Sequence, residues 1–201
     1  IGVQAGAALT GGSTNIAIGV NALDTATTCD HNIAIGAHAL GGSLDGATKN
    51  VCIGRYTGES ITTGDNNTFV GYDAGSDQTT AGGNTFIGYK CGHGVATGGS
   101  NNAVGSDSLA SLTSGYYNNA LGSSSLYACT EGINNIAIGH DAGYDTTTGD
   151  HNTYIGYKAK ASGVNVDNEI VIGHGVHTTS MAGGGTGTIK MGMHNNNINN
   201  T

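Results

Sequence analysis

The sequence predicts an all-β solenoid or β-roll of about twelve stacked rungs of 17 residues each. Three observations support this fold class: a glycine recurs at a nearly constant interval, an aliphatic residue or methionine precedes each of these glycines, and an asparagine stands four residues before most of them. A unit this short cannot bury an apolar face alone, so stacked rungs have to share a core.

The repeat has the pattern N-x-x-[IVLM]-G, and its spacing is 17 residues in all but two intervals, which are 18 and 19 residues long. The repeat glycines are Gly2, Gly19, Gly36, Gly54, Gly71, Gly88, Gly105, Gly122, Gly139, Gly156, Gly173 and Gly192. Residues 1–173 therefore form the predicted repeat array. In residues 174–201 a run of three glycines interrupts the pattern and asparagine dominates the end, which predicts an irregular Gly/Asn-rich cap or a link to a further segment.

Each rung is predicted to begin at its asparagine, because asparagine tolerates left-handed backbone geometry and stacked asparagines form ladders. The repeat asparagines are Asn15, Asn32, Asn50, Asn67, Asn84, Asn101, Asn118, Asn135 and Asn152. From asparagine to glycine the residues alternate in size and include many β-branched types, which predicts a five-residue strand. We expect the aliphatic residue before each glycine to form the core, and a second short segment after the glycine to pack closely on a neighbouring backbone.

Composition limits the functional classes. The chain carries 37 glycines and no proline, which excludes collagen. A net charge of −8 with only six Lys and Arg argues against nucleic acid or an anionic membrane as partner. No apolar stretch is long enough to span a bilayer, so no membrane insertion is expected. The four cysteines lack C-x-x-C spacing and are predicted to be free thiols.

Candidate sites for chemistry are few. His174 and His177 form the densest histidine pair and are the candidates for a metal site, against the simpler interpretation of exposed loop histidines. No motif of nucleophilic, zinc-hydrolase or nucleotide-binding enzymes is present, so we expect neither catalysis nor a cofactor. Tyr72, Tyr89 and Tyr157 follow the repeat glycine in three rungs. They are predicted either to make a local core or inter-chain contact, or to bind a surface ligand such as a glycan.

Two strings carry a family resemblance. Asn-Ile-Ala-Ile-Gly at 15–19, 32–36 and 135–139 resembles the head repeats of trimeric autotransporter adhesins, which form trimeric β-rolls. Asn-Thr-Phe-Ile-Gly-Tyr at 84–89, with relatives at 67–72 and 152–157, is similar to repeats of bacteriophage tail fibres. The resemblance implies a virion tail fibre or another extracellular or cell-surface location. Since a thin single-chain roll has little interior, the partner expected first is the chain itself, as a homotrimer.

The sequence thus favours the structural shaft of an extended tail fibre or surface fibre that presents a receptor-binding tip. One alternative is an adhesin head that binds a host surface protein or glycan through exposed loops. A second alternative is the subunit of a self-assembling extracellular filament.

Overall fold

The computed structural model describes residues 1–44 and 46–175 and the backbone of one further strand at 188–191. The strands are β1 (Ile16–Ile18), β2 (Ile33–Ile35), β3 (Val51–Ile53), β4 (Thr68–Val70), β5 (Thr85–Ile87), β6 (Asn102–Val104), β7 (Asn119–Leu121), β8 (Ile136–Ile138), β9 (Thr153–Ile155), β10 (Glu169–Ile172) and β11 (Thr188–Met191). They form one parallel sheet in which each strand pairs with the next along the chain. The described residues contain no helix, and hence none long and apolar enough to cross a membrane.

The prediction of an all-β solenoid is confirmed. Strand pairing is in register with the sequence repeat, so that Ile16, Ala17 and Ile18 of β1 lie beside the same residue types of β2. Pairing of β10 with β11 extends past residue 173, where the array was predicted to end. Most of the predicted cap, including His177, lies outside the described residues.

The strands are shorter than the predicted five residues, because the backbone leaves the β region at both ends. The repeat glycines from Gly2 to Gly173 have φ between 124° and 144°, and the residue before each repeat asparagine has a φ near 60°. At Gly71 an added Cβ would collide with the carbonyl oxygen of Gly88 in the next rung. Glycine is therefore required here by both conformation and close approach. The segment after the glycine is a turn rather than the predicted second strand.

The prediction that the aliphatic residue before the glycine forms the core is wrong. In β8, Ala137 is fully buried, whereas Ile136 and Ile138 on either side are 39% and 41% exposed. Alternate strand residues point to opposite faces, and it is the middle residue that points inward. The inner column, made of these middle residues, is Ala17, Ala34, Cys52, Phe69, Phe86, Ala103, Ala120, Ala137, Tyr154 and Val171.

Inner-column residues share the interior with the residue four positions after each glycine, and the sizes of the two compensate. Four of the five rungs with an inner alanine place a buried leucine there, as in the pair Ala103 and Leu109. The fifth, with Ala137, has Gly143, where a Cβ would lie 2.6 Å from the ring of Tyr154 in the next rung. Rungs with an inner phenylalanine place glycine there, and a Cβ at Gly75 would lie 2.6 Å from a ring carbon of Phe69. The position has positive φ in both cases, +52° at Leu109 and +58° at Gly75. Large and small residues at the two positions therefore fill the interior together, within a rung or with its neighbour, as close packing demands.

A ladder of buried asparagines connects the rungs beside the sheet. In each rung the asparagine backbone N–H donates to the side-chain oxygen of the preceding asparagine, as Asn101 does to Asn84 at 2.8 Å. The side-chain amide of Asn101 donates to the same oxygen at 3.2 Å and to the carbonyl of Gly115 at 2.9 Å. The ladder runs from Asn15 to Asn152, whose side-chain oxygen accepts the backbone N–H of Glu169 at 2.9 Å. The asparagine thus connects neighbouring rungs by hydrogen bonds, in addition to its predicted role as a turn residue.

Replacing Phe86 by alanine should destabilise the fold by about 3–5 kcal/mol, because the ring fills the space beside Gly92. Gly92→Leu alone should also destabilise, because its side chain would overlap that ring. The double variant Phe86→Ala/Gly92→Leu reproduces the Ala103 and Leu109 rung and should recover most of the lost stability. Urea unfolding of the four chains measures this coupling; additive losses in the double variant would contradict the volume compensation.

Asn101→Ala should leave the Asn118 backbone N–H and the Gly115 carbonyl without partners inside the solenoid. At roughly 1–3 kcal/mol for each orphaned buried group, the loss is a large part of the stability of a single domain. Thermal unfolding followed by circular dichroism provides the measurement. The matched control is Asn165→Ala in a loop, where the asparagine side chain is exposed and the change should be tolerated. Equal losses at the two positions would contradict a special role for the ladder.

Candidate interaction surface

The outer face of the sheet carries two rows of side chains on either side of the inner column. We call the residue three positions before each repeat glycine the first outward column, and the residue directly before each repeat glycine the second outward column. The first outward column is Ile16, Ile33, Val51, Thr68, Thr85, Asn102, Asn119, Ile136, Thr153 and Ile170. The second is Ile1, Ile18, Ile35, Ile53, Val70, Ile87, Val104, Leu121, Ile138, Ile155 and Ile172. Neither column contains a charged residue.

Exposure of these aliphatic side chains is substantial along the whole length of the sheet. Leu121 is 51% exposed, and Ile18 near one end and Ile172 near the other are 39% and 40% exposed. The residue after each repeat glycine, which we call the corner column, continues this surface from Val3 and Val20 to the tyrosines and His174. Within the described residues, every exposed large apolar side chain lies in one of these three columns except Tyr116, Tyr117 and Val164. The molecule therefore concentrates its exposed apolar surface on one face.

The three tyrosines predicted as surface-binding residues all lie in the corner column and are 42% to 50% exposed. Tyr72 and Tyr89 stack on each other with ring centroids 5.6 Å apart and planes 15° apart. Tyr157 stacks on His174 at 5.0 Å, and His140 meets its ring edge-to-face at 5.5 Å. Because the rings stack along the direction in which rungs repeat, they turn edges and hydroxyls outward and cover one another's faces. A sugar ring that needs a free aromatic face finds less of it here than isolated tyrosines would offer.

Basic side chains gather at the same edge. Arg55 lies over the ring of Tyr56 at 4.4 Å, Lys90 over Tyr89 at 5.6 Å, and Lys158 over the ring of Tyr157 at 5.3 Å. Three of the six basic residues of the chain thus lie at this edge of the sheet, at cation–π distances from tyrosine rings. The outward columns themselves remain uncharged.

The histidines of the described residues do not converge on a metal site. No group of three or more His, Cys, Asp or Glu side chains in the described part of the chain is arranged to hold a metal ion. His174, one of the two predicted candidates, stacks on Tyr157, and the other lies outside the described residues. The densest polar cluster surrounds His93, whose Nδ1 is 2.6 Å from the Ser76 hydroxyl and whose Nε2 is 3.7 Å from Asp77.

All four cysteines are buried free thiols, as the sequence predicts. Burial raises the pKa of Cys91 and of Cys129 from the ordinary 9.0 to about 12. Burial also raises the pKa of Cys52 strongly and that of Cys29 to a lesser extent. Since the thiolate is the reactive form, these thiols are protected both by position and by protonation.

Sequence reasoning placed the aliphatic columns inside, so it missed this face. The signal that could have found it is the size of the residue between them, since alanine in the middle position leaves room for the leucine four positions after the glycine. The alternation of alanine with leucine and of phenylalanine with glycine identifies the inward pair, as Ala103 with Leu109 and Phe86 with Gly92 show.

Comparisons with known proteins found no matching family model, no matching curated protein and no matching solved structure. The class is therefore defined by the fold itself. The chain is a β-solenoid repeat protein with an uncharged, mainly aliphatic outer face on its sheet.

Raised thiol pKa values make stability depend on pH in the alkaline range. The unfolded chain loses thiol protons near pH 9, whereas the folded chain keeps those of Cys91 and Cys129 up to about pH 12. Above pH 9 the folded state therefore binds more protons, and the free energy of unfolding must fall as pH rises. Denaturant unfolding between pH 8 and 11 should show this fall, and a Cys91→Ala/Cys129→Ala variant should show a smaller slope. Identical slopes would contradict the assignment.

Proposed function

We propose that this chain is the structural shaft of an extended fibre, of the bacteriophage tail-fibre or surface-fibre type, in which copies associate side by side as a homotrimer of about twelve rungs. Its function in this proposal is mechanical: it holds a receptor-binding tip at a distance and catalyses no reaction. The observation that carries the proposal is the uncharged apolar face that runs along the sheet from Ile18 to Ile172.

Several properties of the face favour a second copy of the chain as its occupant. The described chain bears net negative charge, so copies repel one another everywhere except where charges are absent, as on this face. The face repeats with the rung spacing, and only another solenoid matches that spacing along its full length. Over ten strands the second outward column is aliphatic throughout and the first is aliphatic at half of its positions. Together they form a continuous face of the kind that a stable interface, at roughly 800 Å² per partner, requires.

Three copies form the smallest closed ring in which each chain has a different neighbour on each flank. A sheet face with two outward columns and a corner column can meet one neighbour on each flank, as a closed ring requires. Such a trimer adds a second core outside the thin interior of each solenoid. Parallel strand ladders on all three chains then resist bending together, which suits a shaft.

Fewer observations support the two alternative functions, an adhesin head and a filament subunit. An adhesin head that binds sugars by aromatic stacking needs free ring faces, and Tyr72, Tyr89 and Tyr157 are stacked on neighbours. A filament subunit needs complementary ends, whereas the apolar surface lies along the side of the solenoid. The lateral face therefore favours the shaft.

Light scattering of the purified chain should give three times the 19.9 kDa mass of one copy, with rods in electron micrographs. Ile87→Asp/Leu121→Asp places charges on the exposed face without touching the inner column, and should reduce the mass to that of one folded chain. The matched control, Thr80→Asp/Thr148→Asp, places the same charges on exposed loops and should stay assembled. A wild-type mass of 19.9 kDa at micromolar concentration would overturn the proposal, and assembly of the face variant would place the interface elsewhere.

A further inference from the structure

A periodic interface raises the problem of register. Rungs repeat at about 4.8 Å, so two identical aliphatic columns can slide past each other by whole rungs with little change in their contacts. Slipping by two rungs leaves eight of ten strands in contact. Hydrophobic burial alone therefore distinguishes weakly between neighbouring registers, because it is non-directional and scales with area.

The first outward column is not uniform, and its exception lies in the middle of the sheet. Aliphatic residues occupy it from Ile16 to Val51, threonines follow in β4 and β5, and Asn102 and Asn119 occupy β6 and β7. Both asparagine side chains are exposed. They are not members of the buried asparagine ladder, which lies one residue earlier in each rung. The aliphatic pattern resumes with Ile136 in β8.

The two amides bond to each other within one chain and retain further hydrogen-bonding capacity. The side-chain N–H of Asn102 donates to the Asn119 side-chain oxygen at 3.0 Å. The Asn119 amide donates to the backbone carbonyl of Tyr117 at 3.5 Å. Within the described chain, the side-chain oxygen of Asn102 accepts no hydrogen bond, so it and the remaining amide hydrogens are free for partners outside.

We infer that Asn102 and Asn119 set the axial register between laterally associated copies, an inference that rests on the self-association proposed above. In the aligned parallel arrangement the amides of one chain meet those of the next and complete their hydrogen bonds. In an arrangement slipped by two rungs, Asn102 faces Thr68 or Ile136 of the next chain and Asn119 faces Thr85 or Thr153, in place of a partner amide. An amide that is buried without its full set of hydrogen-bond partners is costly. A single polar position specifies alignment in coiled coils by the same physical means.

The threonines in the first outward column discriminate between registers less strongly than the asparagines do. Thr68, Thr85 and Thr153 carry one rotatable hydroxyl and a methyl group, so they can pack against an aliphatic side chain while the hydroxyl turns to a nearby acceptor. An asparagine amide is planar and has two donors and an acceptor in fixed directions. Discrimination between registers is therefore concentrated at β6 and β7.

Disulfide trapping on the outer face measures register directly. Ile35→Cys and Val70→Cys chains carry one new thiol each, two rungs apart, which is about 9–10 Å along the sheet and beyond disulfide reach. The native thiols are buried and do not compete. When the two chains are mixed, unfolded, refolded together and oxidised, aligned assemblies link like positions, 35 to 35 and 70 to 70. A two-rung slip links 35 to 70.

In the otherwise wild-type background, unlike links should be rare. In the Asn102→Val/Asn119→Val background the ratio of unlike to like links should rise at least about tenfold, the factor that corresponds to 1.4 kcal/mol. Valine already occupies this column at Val51, so the variant should fold and associate at least as strongly as the parent. The control Thr153→Val removes a polar group from the same column away from the pair, and should leave the ratio unchanged.

The outcomes separate the two proposals. If the double valine variant assembles with the wild-type link ratio, the amides do not set register and the inference is overturned, while the shaft proposal stands. If the wild-type chain remains a 19.9 kDa monomer and forms neither kind of link, both proposals fail. If the ratio of unlike to like links rises equally in the Thr153→Val control, the polarity of the whole first outward column sets the register. That result would overturn the specific role of the two asparagines.

Discussion

Each rung of the solenoid depends on the hydrogen bonds that one buried asparagine makes to the rung before it and the rung after it. Asn118, for example, accepts the backbone N–H of Asn135 at 3.0 Å and donates its own backbone N–H to Asn101 at 2.9 Å. Its side-chain amide also satisfies the carbonyl of Gly132 in the loop at 2.7 Å. Sheet and loop are thereby connected at one residue. Backbone groups that a turn would leave unpaired are satisfied without water, so the turn can be buried.

This ladder constrains the rest of the repeat. Since the asparagine backbone pairs with both neighbours, the three residues after it continue as a strand and the chain must then turn at once. Glycine permits that turn, because Gly105 approaches Gly122 too closely for any side chain. Within the described part of the chain, twenty-three non-glycine residues also have positive φ, among them His151, Tyr117 and Leu126. The regular stacking of rungs outweighs the local strain that such residues carry in isolation.

The interior of the solenoid is thin, and this places aliphatic side chains on its outer face. Only a few side chains per rung point inward, and buried residues such as Leu109 and Phe86 already fill that space, so the interior does not also hold the aliphatic residues of the outward columns. They occupy the outer face of the sheet, where Val104 and Leu121 are 40% and 51% exposed. An exposed apolar surface of this extent is typical of an interaction site. In the proposed assembly, the outer faces of neighbouring chains pack together and form a second core between the chains. The uncharged face of the repeat thereby contributes to the stiffness of the fibre.

Much of the fold follows from the sequence, because a short repeat shows the same period, turn residues and strand positions in many copies. Spacing of the glycines and asparagines was sufficient to predict stacked rungs, as the paired strands confirm. The absence of C-x-x-C spacing predicted free cysteines such as Cys52 and Cys129. What the sequence could not decide is which face of the strand is inside. Period-two alternation is symmetric between faces, and the usual assumption that the larger aliphatic residue is buried fails for β8, where Ala137 is buried and Ile138 is not. Only the tertiary structure decided this, because the direction depends on how Gly75 and Leu109, distant from the strand pattern, fill the interior volume.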